Sequence, residues 1–432
     1  MRSVTRMAPP RRLGIGPGVG RLWTASTAGN LGDGVGRVAI ALLAARLTRD
    51  PVAVAAVTAL SYLPWLVFGL PAGVLVDRYD RRRLAALAGA ARTAAIAVLT
   101  LAAATDRATL WLLYAVVVLL YTCETGYDNA VIAMVPMVVA DRDLDRANGR
   151  LQGAQLVADS FVGPPLASAA FAVAAGYAFG INVACYAVAA MLLLGLPASG
   201  RARPDPAGAA VERLPSMRRE IADGLRYLRG HALHRLLLGL MVAVFFGAAM
   251  VNAITVLWTL DVLGVSESFY GVFTLTMAVG ALAGSQTAAV LARRVGRGRT
   301  LWVTVLVAGV GSLVSAATTS PYVAGVGLAM VGWASLAFNI VNVSLRQRLT
   351  PSAMLGRVTG AYRAAVTSVM VVGAVAGGAV ASVGGLRLPL VIFGLGCLVL
   401  GGLAGSRLTN QVVDRAVAEA DSDADAADER PG

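Results

Sequence analysis

The chain has 432 residues, of which 57% are hydrophobic and only 14% are charged. Soluble domains carry about a quarter of charged residues, so this composition excludes an ordinary soluble protein and indicates an integral membrane protein. The net charge of +13 does not indicate a nucleic-acid-binding protein, because the arginines fall in short segments between long apolar runs.

Twelve apolar windows are long enough to cross a bilayer, which takes about 20 helical residues. We therefore predict an all-α integral membrane protein, with twelve transmembrane helices in two pseudo-symmetric six-helix bundles. The predicted spans are 22–47, 52–76, 84–104, 109–135, 150–174, 177–198, 232–260, 268–292, 300–319, 321–345, 357–382 and 386–407. The predicted regions are a tail (1–21), a first bundle (22–198), a linker with a short surface helix (199–231), a second bundle (232–408) and an acidic tail (409–432) that is disordered over 421–429.

Arginine positions predict the orientation, because basic residues accumulate in cytoplasmic loops. With the N-terminus inside, 30 of the 37 arginines fall in cytoplasmic segments, four in external loops and three within spans. We therefore place both termini in the cytoplasm and the chain in the cytoplasmic membrane of a bacterium.

Three polar residues of the first span, Asn30, Asp33 and Arg37, are spaced so that they share one helix face. Buried charges in a membrane are costly and are candidates for function. The structural alternative is an Asp33–Arg37 pair that neutralises itself within the helix. The glycines between residues 29 and 36 are typical of close helix packing.

The loop between the second and third spans places an acid before a tight basic turn. Its candidate residues are Gly73, Asp77, Arg78, Arg81 and Arg82. An ordinary basic loop with an incidental aspartate is the alternative.

The fourth and fifth spans add three carboxylates. Glu124 and Asp128 lie one turn apart, so either can bind and release a proton when access to the site alternates. Asp128 has an alternative role as a cap within a kinked helix. Asp159 precedes Gly163 and two prolines, a combination that permits a bend.

In the second half, isolated polar residues within spans are possible cavity residues, although most such residues form hydrogen bonds between helices. They are Asn252, Asn339, Asn342 and Arg363. No metal site is predicted, because the two histidines, His231 and His234, lack cysteine or acidic companions.

An internal repeat supports two related halves. Leu144 and Gly163 match Met354 and Gly373 at an offset of 210 residues, whereas Arg146 matches Arg357 at 211, so one residue is inserted between them. Duplicated halves are typical of secondary transporters.

The loop at 73–83 resembles the signature loop of the major facilitator superfamily, and residues 20–408 resemble its macrolide-efflux and enterobactin-exporter branch. Segments 30–33, 127–130, 146–148 and 356–358 also carry the resemblance. It implies that Asp77 pairs with the eleventh helix and, with Arg78 and Arg81, gates the cytoplasmic side. The arginine motif that well-known antiporters carry in the fourth helix is absent here.

The resemblance implies a transporter and not an enzyme, and no ATP-binding loop is present. We expect export of a bulky small molecule (a drug, macrolide-like compound, siderophore or secondary metabolite) by proton antiport, with Asp33 and Glu124 carrying the proton or a cationic substrate group. We expect no cofactor beyond the proton motive force, no nucleic acid, and a functional monomer in the lipid bilayer. An importer on the same fold and a non-transporting sensor or scaffold are the alternatives.

Overall fold

A computed structural model describes residues 17–69, 76, 79–139, 141–195 and 217–428. In these ranges we number fourteen helices, with short π-helical turns included in α5 and α8. They are α1 (Pro17–Leu47), α2 (Pro51–Phe68), α3 (Arg81–Ala104), α4 (Leu110–Val138), α5 (Leu144–Val173), α6 (Ala175–Leu194), α7 (Met217–Gly230), α8 (Ala232–Val262), α9 (Glu267–Val295), α10 (Arg297–Ala317), α11 (Pro321–Leu349), α12 (Ser352–Gly384), α13 (Leu388–Arg407) and α14 (Asn410–Asp428).

Local sequence explains where several helices begin. Asp50 caps α2, since its carboxylate accepts a hydrogen bond from the backbone N–H of Val52 at 3.0 Å. Pro51 follows at the first helical position, where its missing N–H costs nothing. Gly296 separates α9 from α10 with φ of +91°, a conformation that favours glycine.

Among the described residues, eleven helices are long and apolar enough to cross a membrane, namely α2–α6 and α8–α13. Helix α1 is less apolar because it carries the predicted polar residues. With 31 residues it is about 46 Å long, and it packs against α5 and α6 inside the first bundle. We therefore assign it as the twelfth span.

The helices agree with the predicted spans except at their ends. Helix α5 begins at Leu144, whereas the prediction began at residue 150. The predicted disorder of the acidic end was wrong as far as Asp428, because α14 continues to that residue. Buried Val413 and Val417 on one face of α14 pack against the second bundle, which stabilises this helix.

Helix contacts repeat after a shift of six spans. In the first bundle α1 packs on α5 and α6, α2 on α4, and α3 on α4 and α6. In the second bundle α8 packs on α12 and α13, α9 on α11, and α10 on α11 and α13. The bundles meet through α2 against α12 and α5 against α9, which are equivalent pairs. The fold is therefore two-fold pseudo-symmetric, with α7 packed on α12.

Candidate functional site: a charged network inside the first bundle

The centre of the first bundle contains Arg92 of α3, whose side chain is only 1% exposed. Arg92 lies near the middle of the 24-residue helix, about 17 Å from either end. This depth is close to the centre of a hydrocarbon core about 30 Å thick. A lone charge there would cost about 2.5–3.5 kcal/mol even on the lenient insertion scale.

Partners for Arg92 come from three other helices. Its guanidinium donates a short hydrogen bond to Asp33 of α1 and lies 3.6 Å from a carboxylate oxygen of Glu124 in α4. The rings of Tyr186 and Tyr127 lie over it, with centroids 4.0 and 5.2 Å from the guanidinium carbon. The Tyr186 hydroxyl also donates to Asp33 at 2.8 Å. Arg92 therefore joins two carboxylates at the level of the bilayer centre.

Glycines on α1 permit this arrangement. A Cβ on Gly32 would lie 2.6 Å from the Tyr186 ring, and one on Gly36 would lie 2.3 Å from the side-chain nitrogen of Asn182. That nitrogen donates to the Gly32 carbonyl at 2.6 Å. The predicted close packing of this glycine-rich stretch is confirmed, and it brings Asp33 to the tyrosine of α6.

A second ion pair joins α1 to α5. Arg37 binds both oxygens of Asp159, at 2.9 and 3.3 Å. Asp159 lies in the π-helical turn Val157–Val162, and its backbone oxygen would be 2.3 Å from a Cβ on Gly34. Although Arg37 is about 15 Å from the end of its helix, its side chain is 56% exposed. The helices of the first bundle therefore do not enclose the Arg37 side chain.

The polar face of α1 therefore serves several neighbours. Asp33 binds α3 and α6, while Arg37 binds α5, so the internal Asp33–Arg37 pair is not formed. Asn30 donates to the carbonyl of Ser26 in its own helix, at 2.7 Å. Because the helices pack closely, Asp33 and Arg37 each pair with a side chain of another helix and not with each other, although they lie one turn apart in α1.

Helix α4 contributes carboxylates that remain incompletely paired. Glu124 has its 3.6 Å contact with Arg92, and Asp128 forms no ion pair or hydrogen bond with any residue that the structure describes. Asp128 does not end a helix segment, because α4 continues unbroken to Val138. The network of the first bundle thus holds four carboxylates and two guanidinium groups, with the surplus negative charge on α4.

Two predicted cavity residues lie where the bundles meet. The Asn252 amide of α8 donates to the hydroxyl of Tyr62 on α2 at 3.2 Å. Arg363 of α12 lies over the ring of Trp65, 5.4 Å from its centroid. These contacts connect the first bundle to the second.

The other two predicted cavity residues differ in exposure. Asn339 is half-buried. Asn342 is fully buried, and neither its amide nitrogen nor its amide oxygen has a partner among the described residues. Asn342 therefore lies inside the second bundle and away from an open surface.

The predicted gating loop is described only in part, since Gly73, Asp77 and Arg78 lie outside the described residues. Arg81 donates to the carbonyl of Ala133 at 3.1 Å, and Arg82 donates to the carbonyl of Leu194 at 3.3 Å. These arginines fasten the start of α3 to the ends of α4 and α6.

At the opposite end, predicted to be external, two ion pairs join the bundles. Arg46 binds Glu267 with a short contact and two further ones at 3.0 Å from its Nε. Arg49 binds Asp261 at 2.9 Å. Nearby, Gly271 packs against the backbone of Pro164. This end of the molecule is therefore held closed, and we call the two ion pairs the outer ion pairs.

Sequence reasoning missed Arg92, its tyrosines and the outer ion pairs as functional groups. A single arginine in the third apolar span was a usable signal, because such a charge needs a partner. Arg46 and Arg49 gave no comparable signal, since they resemble ordinary loop charges.

The chain shows sequence similarity to bacterial efflux proteins. It is 27% identical over 229 residues to macrolide efflux protein A of Enterococcus faecalis, covering 52% of this chain and 68% of that protein. It is 26% identical over 152 residues to macrolide efflux protein A of Streptococcus pyogenes, covering 35% of this chain. The second match spans only 37% of the length of the relative.

Solved transporter structures share the fold. A variant of the nucleoside transporter NupG superposes with a TM-score of 0.73 at 12% identity, covering 90% of this chain and 99% of that one. A bacterial homologue of the iron transporter ferroportin in an inward-facing state gives 0.71 at 16% identity, covering 90% and 98%. At these identities the likeness concerns the fold alone.

Nearly the whole chain matches one protein family. Residues 18–428 fit the family described as transmembrane secretion effectors. The match covers all twelve spans, the linker helix and α14. Together with its fold, it identifies a multi-pass membrane protein of a transporter family. The chain belongs to the transmembrane secretion effector family of the major facilitator superfamily.

Proposed function

We propose that this protein is a secondary active transporter that exports a bulky small molecule from a bacterial cell by proton antiport. The observation that carries the proposal is the buried network of Arg92, Asp33 and Glu124 at the level of the bilayer centre. One turn from Glu124 lies Asp128, which has no ion-pair partner among the residues that the structure describes. A scaffold would have little reason to keep such costly groups in a membrane. Similarity to proteins named for macrolide efflux supports export as the direction.

The network has the composition that proton exchange requires. Two guanidinium groups compensate only two of the four carboxylates, so the network retains negative charge for a proton or a cationic substrate group. Exposed Arg37 supports an aqueous route to this region. A proton and a cationic substrate would compete for the same negative charge, which is how exchange can be coupled.

The proton motive force is sufficient for this function. One proton crossing 100 mV releases about 2.3 kcal/mol, and one unit of pH difference adds about 1.4 kcal/mol. Their sum supports a substrate gradient of roughly several hundred-fold. We propose that no other cofactor is required and that the monomer is functional.

Alternating access would occur by rocking of the two bundles about the contacts of α2 with α12 and α5 with α9. In the proposed orientation both termini are cytoplasmic and the outer ion pairs close the external end. The resemblance assigns the opposite gate to Asp77, Arg78 and Arg81.

The test is accumulation of a panel of labelled macrolides, other antibiotics and siderophores in an efflux-deficient bacterium that expresses the chain. Each compound is measured with and without a protonophore. We expect lower accumulation of at least one compound, restored by the protonophore. Protonophore-sensitive gain of a compound would replace export by import, and an unchanged panel would favour a non-transport role.

Two variants serve as matched controls. The double variant Glu124→Gln/Asp128→Asn removes both available carboxylates and should abolish export. Asp143→Asn removes a partly exposed carboxylate in the turn before α5, where its partner is the exposed Arg142, and should leave export unchanged. Full export by the double variant would reject proton exchange at this network.

A further inference from the structure

We infer that Arg92 assigns different tasks to the two carboxylates it contacts. Arg92 holds Asp33 as a permanent counter-ion, and Glu124, together with Asp128, is left as the group that exchanges the proton. The inference rests on the proposed function and narrows it, because the network alone allows either Asp33 or Glu124 to carry the proton. Arg92 is then a positioning residue.

The two contacts of Arg92 are unequal. Asp33 accepts a direct hydrogen bond from the guanidinium and a second one from the Tyr186 hydroxyl at 2.8 Å. Glu124 is 3.6 Å from the guanidinium and accepts no hydrogen bond among the described residues. Charge-assisted hydrogen bonds favour the ionised form of a carboxylate. Asp33 is therefore bound by its neighbours much more firmly than Glu124.

The position of Arg92 is itself fixed. Its side chain is 1% exposed and lies against the rings of Tyr186 and Tyr127. The same Nη2 atom of Arg92 faces both carboxylates, and in this position it donates its hydrogen bond to Asp33 and not to Glu124.

The pair with Asp33 should also persist through the transport cycle. Helices α1, α3 and α6 belong to one bundle and pack on one another through α6. Rocking of one bundle against the other moves these helices together. The direct hydrogen bond from Arg92 to Asp33 therefore needs no rearrangement when the bundles rock.

Glu124 has the surroundings of an exchanging group. The charged and titratable side chains that act on it are Asp33 and Arg37 of α1, Arg92 of α3, Tyr121 and Asp128 of α4, and Tyr186 of α6. Nearby carboxylates favour a bound proton, while Arg92 at 3.6 Å stabilises the carboxylate after the proton leaves. Binding one proton changes the charge of the network of four carboxylates and two guanidinium groups from −2 to −1.

The test is infrared difference spectroscopy of the full-length protein in lipid, with buffer alternated between acidic and alkaline pH. The C=O stretch of a protonated carboxyl group, which is separate from the carboxylate bands, is recorded without any substrate. We expect one buried carboxyl signal in the wild type and in Asp33→Asn, and loss of that signal in Glu124→Gln. A signal that is lost in Asp33→Asn and kept in Glu124→Gln would overturn the inference, and so would the absence of any such signal in the wild type.

Arg92→Gln supplies a readout that a merely structural role would not give. Without its guanidinium, Asp33 becomes free to take a proton, so a second carboxyl signal should appear. The second signal should disappear in the double variant Asp33→Asn/Arg92→Gln. This double variant also serves if Asp33→Asn alone fails to fold, because it removes both members of the ion pair and leaves neither charge without its partner. Arg92→Lys should restore the single signal. An Arg92→Gln spectrum identical to that of the wild type would reject the assignment.

The spectra require no substrate, so their outcome is independent of the accumulation panel. Loss of the expected signals with protonophore-sensitive export intact would reject only the division of tasks. Normal signals without export of any compound would reject only the proposed function.

Discussion

The outer ion pair between Arg46 and Glu267 should control how often the end of the molecule that we predict to be external opens. Arg46→Glu replaces attraction between the bundles with repulsion at the same place. We expect the variant to populate a state with the external ends apart, because this contact exists only while the ends are together.

The size of the effect follows from the geometry. Exposed ion pairs contribute about 0.2–1 kcal/mol, and hydrogen bonds to charged groups contribute about 1.5–3 kcal/mol. The side chains of Arg46 and Glu267 are 39% and 26% exposed, so the pair lies between these cases. Including the repulsion that the new glutamate adds, we expect about 2 kcal/mol, which changes the closed-to-open ratio roughly 30-fold.

The assay is a pulsed electron-spin distance measurement in lipid. Spin labels at Asp106 and Thr319 place one probe on the external side of each bundle, after Cys123, Cys185 and Cys397 are replaced by serine. Arg46→Glu should add a population at longer distance.

Charge matching supplies the controls. The exchanged pair Arg46→Glu/Glu267→Arg should restore the wild-type distances, and Arg107→Glu, an external charge change at an exposed site, should leave them unchanged. If Arg46→Glu gives the wild-type distribution, or the exchanged pair fails to restore it, the ion pair does not hold this end closed.

Three further substitutions test the packing around the site. Gly271→Ala would place a Cβ 1.9 Å from the carbonyl oxygen of Pro164. We therefore expect a loss of about 1–3 kcal/mol in stability and slower transport. A melting temperature equal to that of the wild type would contradict the predicted clash. Asn410→Ala removes two hydrogen bonds that hold α14 to the α9–α10 junction, one to the Val295 carbonyl at 2.7 Å and one from the Arg299 N–H at 3.1 Å. We therefore expect a loss of about 1–2 kcal/mol in stability on thermal unfolding, whereas Gln411→Ala should leave stability unchanged. Tyr62→Phe removes the hydroxyl that accepts a hydrogen bond from the Asn252 side-chain amide of α8 at 3.2 Å. We expect about 0.5–1.5 kcal/mol less stabilisation of the contact between bundles, measured with the same spin labels. An unchanged distance distribution would show that this hydrogen bond does not stabilise the contact.

Sequence was sufficient for the fold because the membrane limits the possible structures. Helix length and hydropathy gave the twelve spans, and the cost of buried charge gave Asp33, Glu124 and Asp159 as candidates. The glycines of α1 predicted that another helix packs closely against this one, but they did not identify which helix it is.

Partner choice could not be read from the sequence, since it depends on how helices are arranged in the bundle. The spacing of α1 allowed an ion pair between Asp33 and Arg37 within one helix. In the structure Asp33 binds Arg92, 59 positions away, and Arg37 binds Asp159, 122 positions away. Helix α14 was missed because its acidic composition obscured the two buried valines that anchor it.

The π-helical turn in α5 accounts for the second of the two changes in spacing of the internal repeat, where the offset returns from 211 to 210. Between Arg146 and Gly163 the first half contains one residue more than the second half contains between Arg357 and Gly373. Helix α12 is α-helical throughout its length, whereas α5 takes a π-helical course over Val157–Val162, which accommodates one additional residue. An extra residue in a regular helix would turn everything beyond it by about 100°. The turn confines that change, so the two halves present the same faces to their neighbours, and Asp159, which binds Arg37 of α1, lies within the turn.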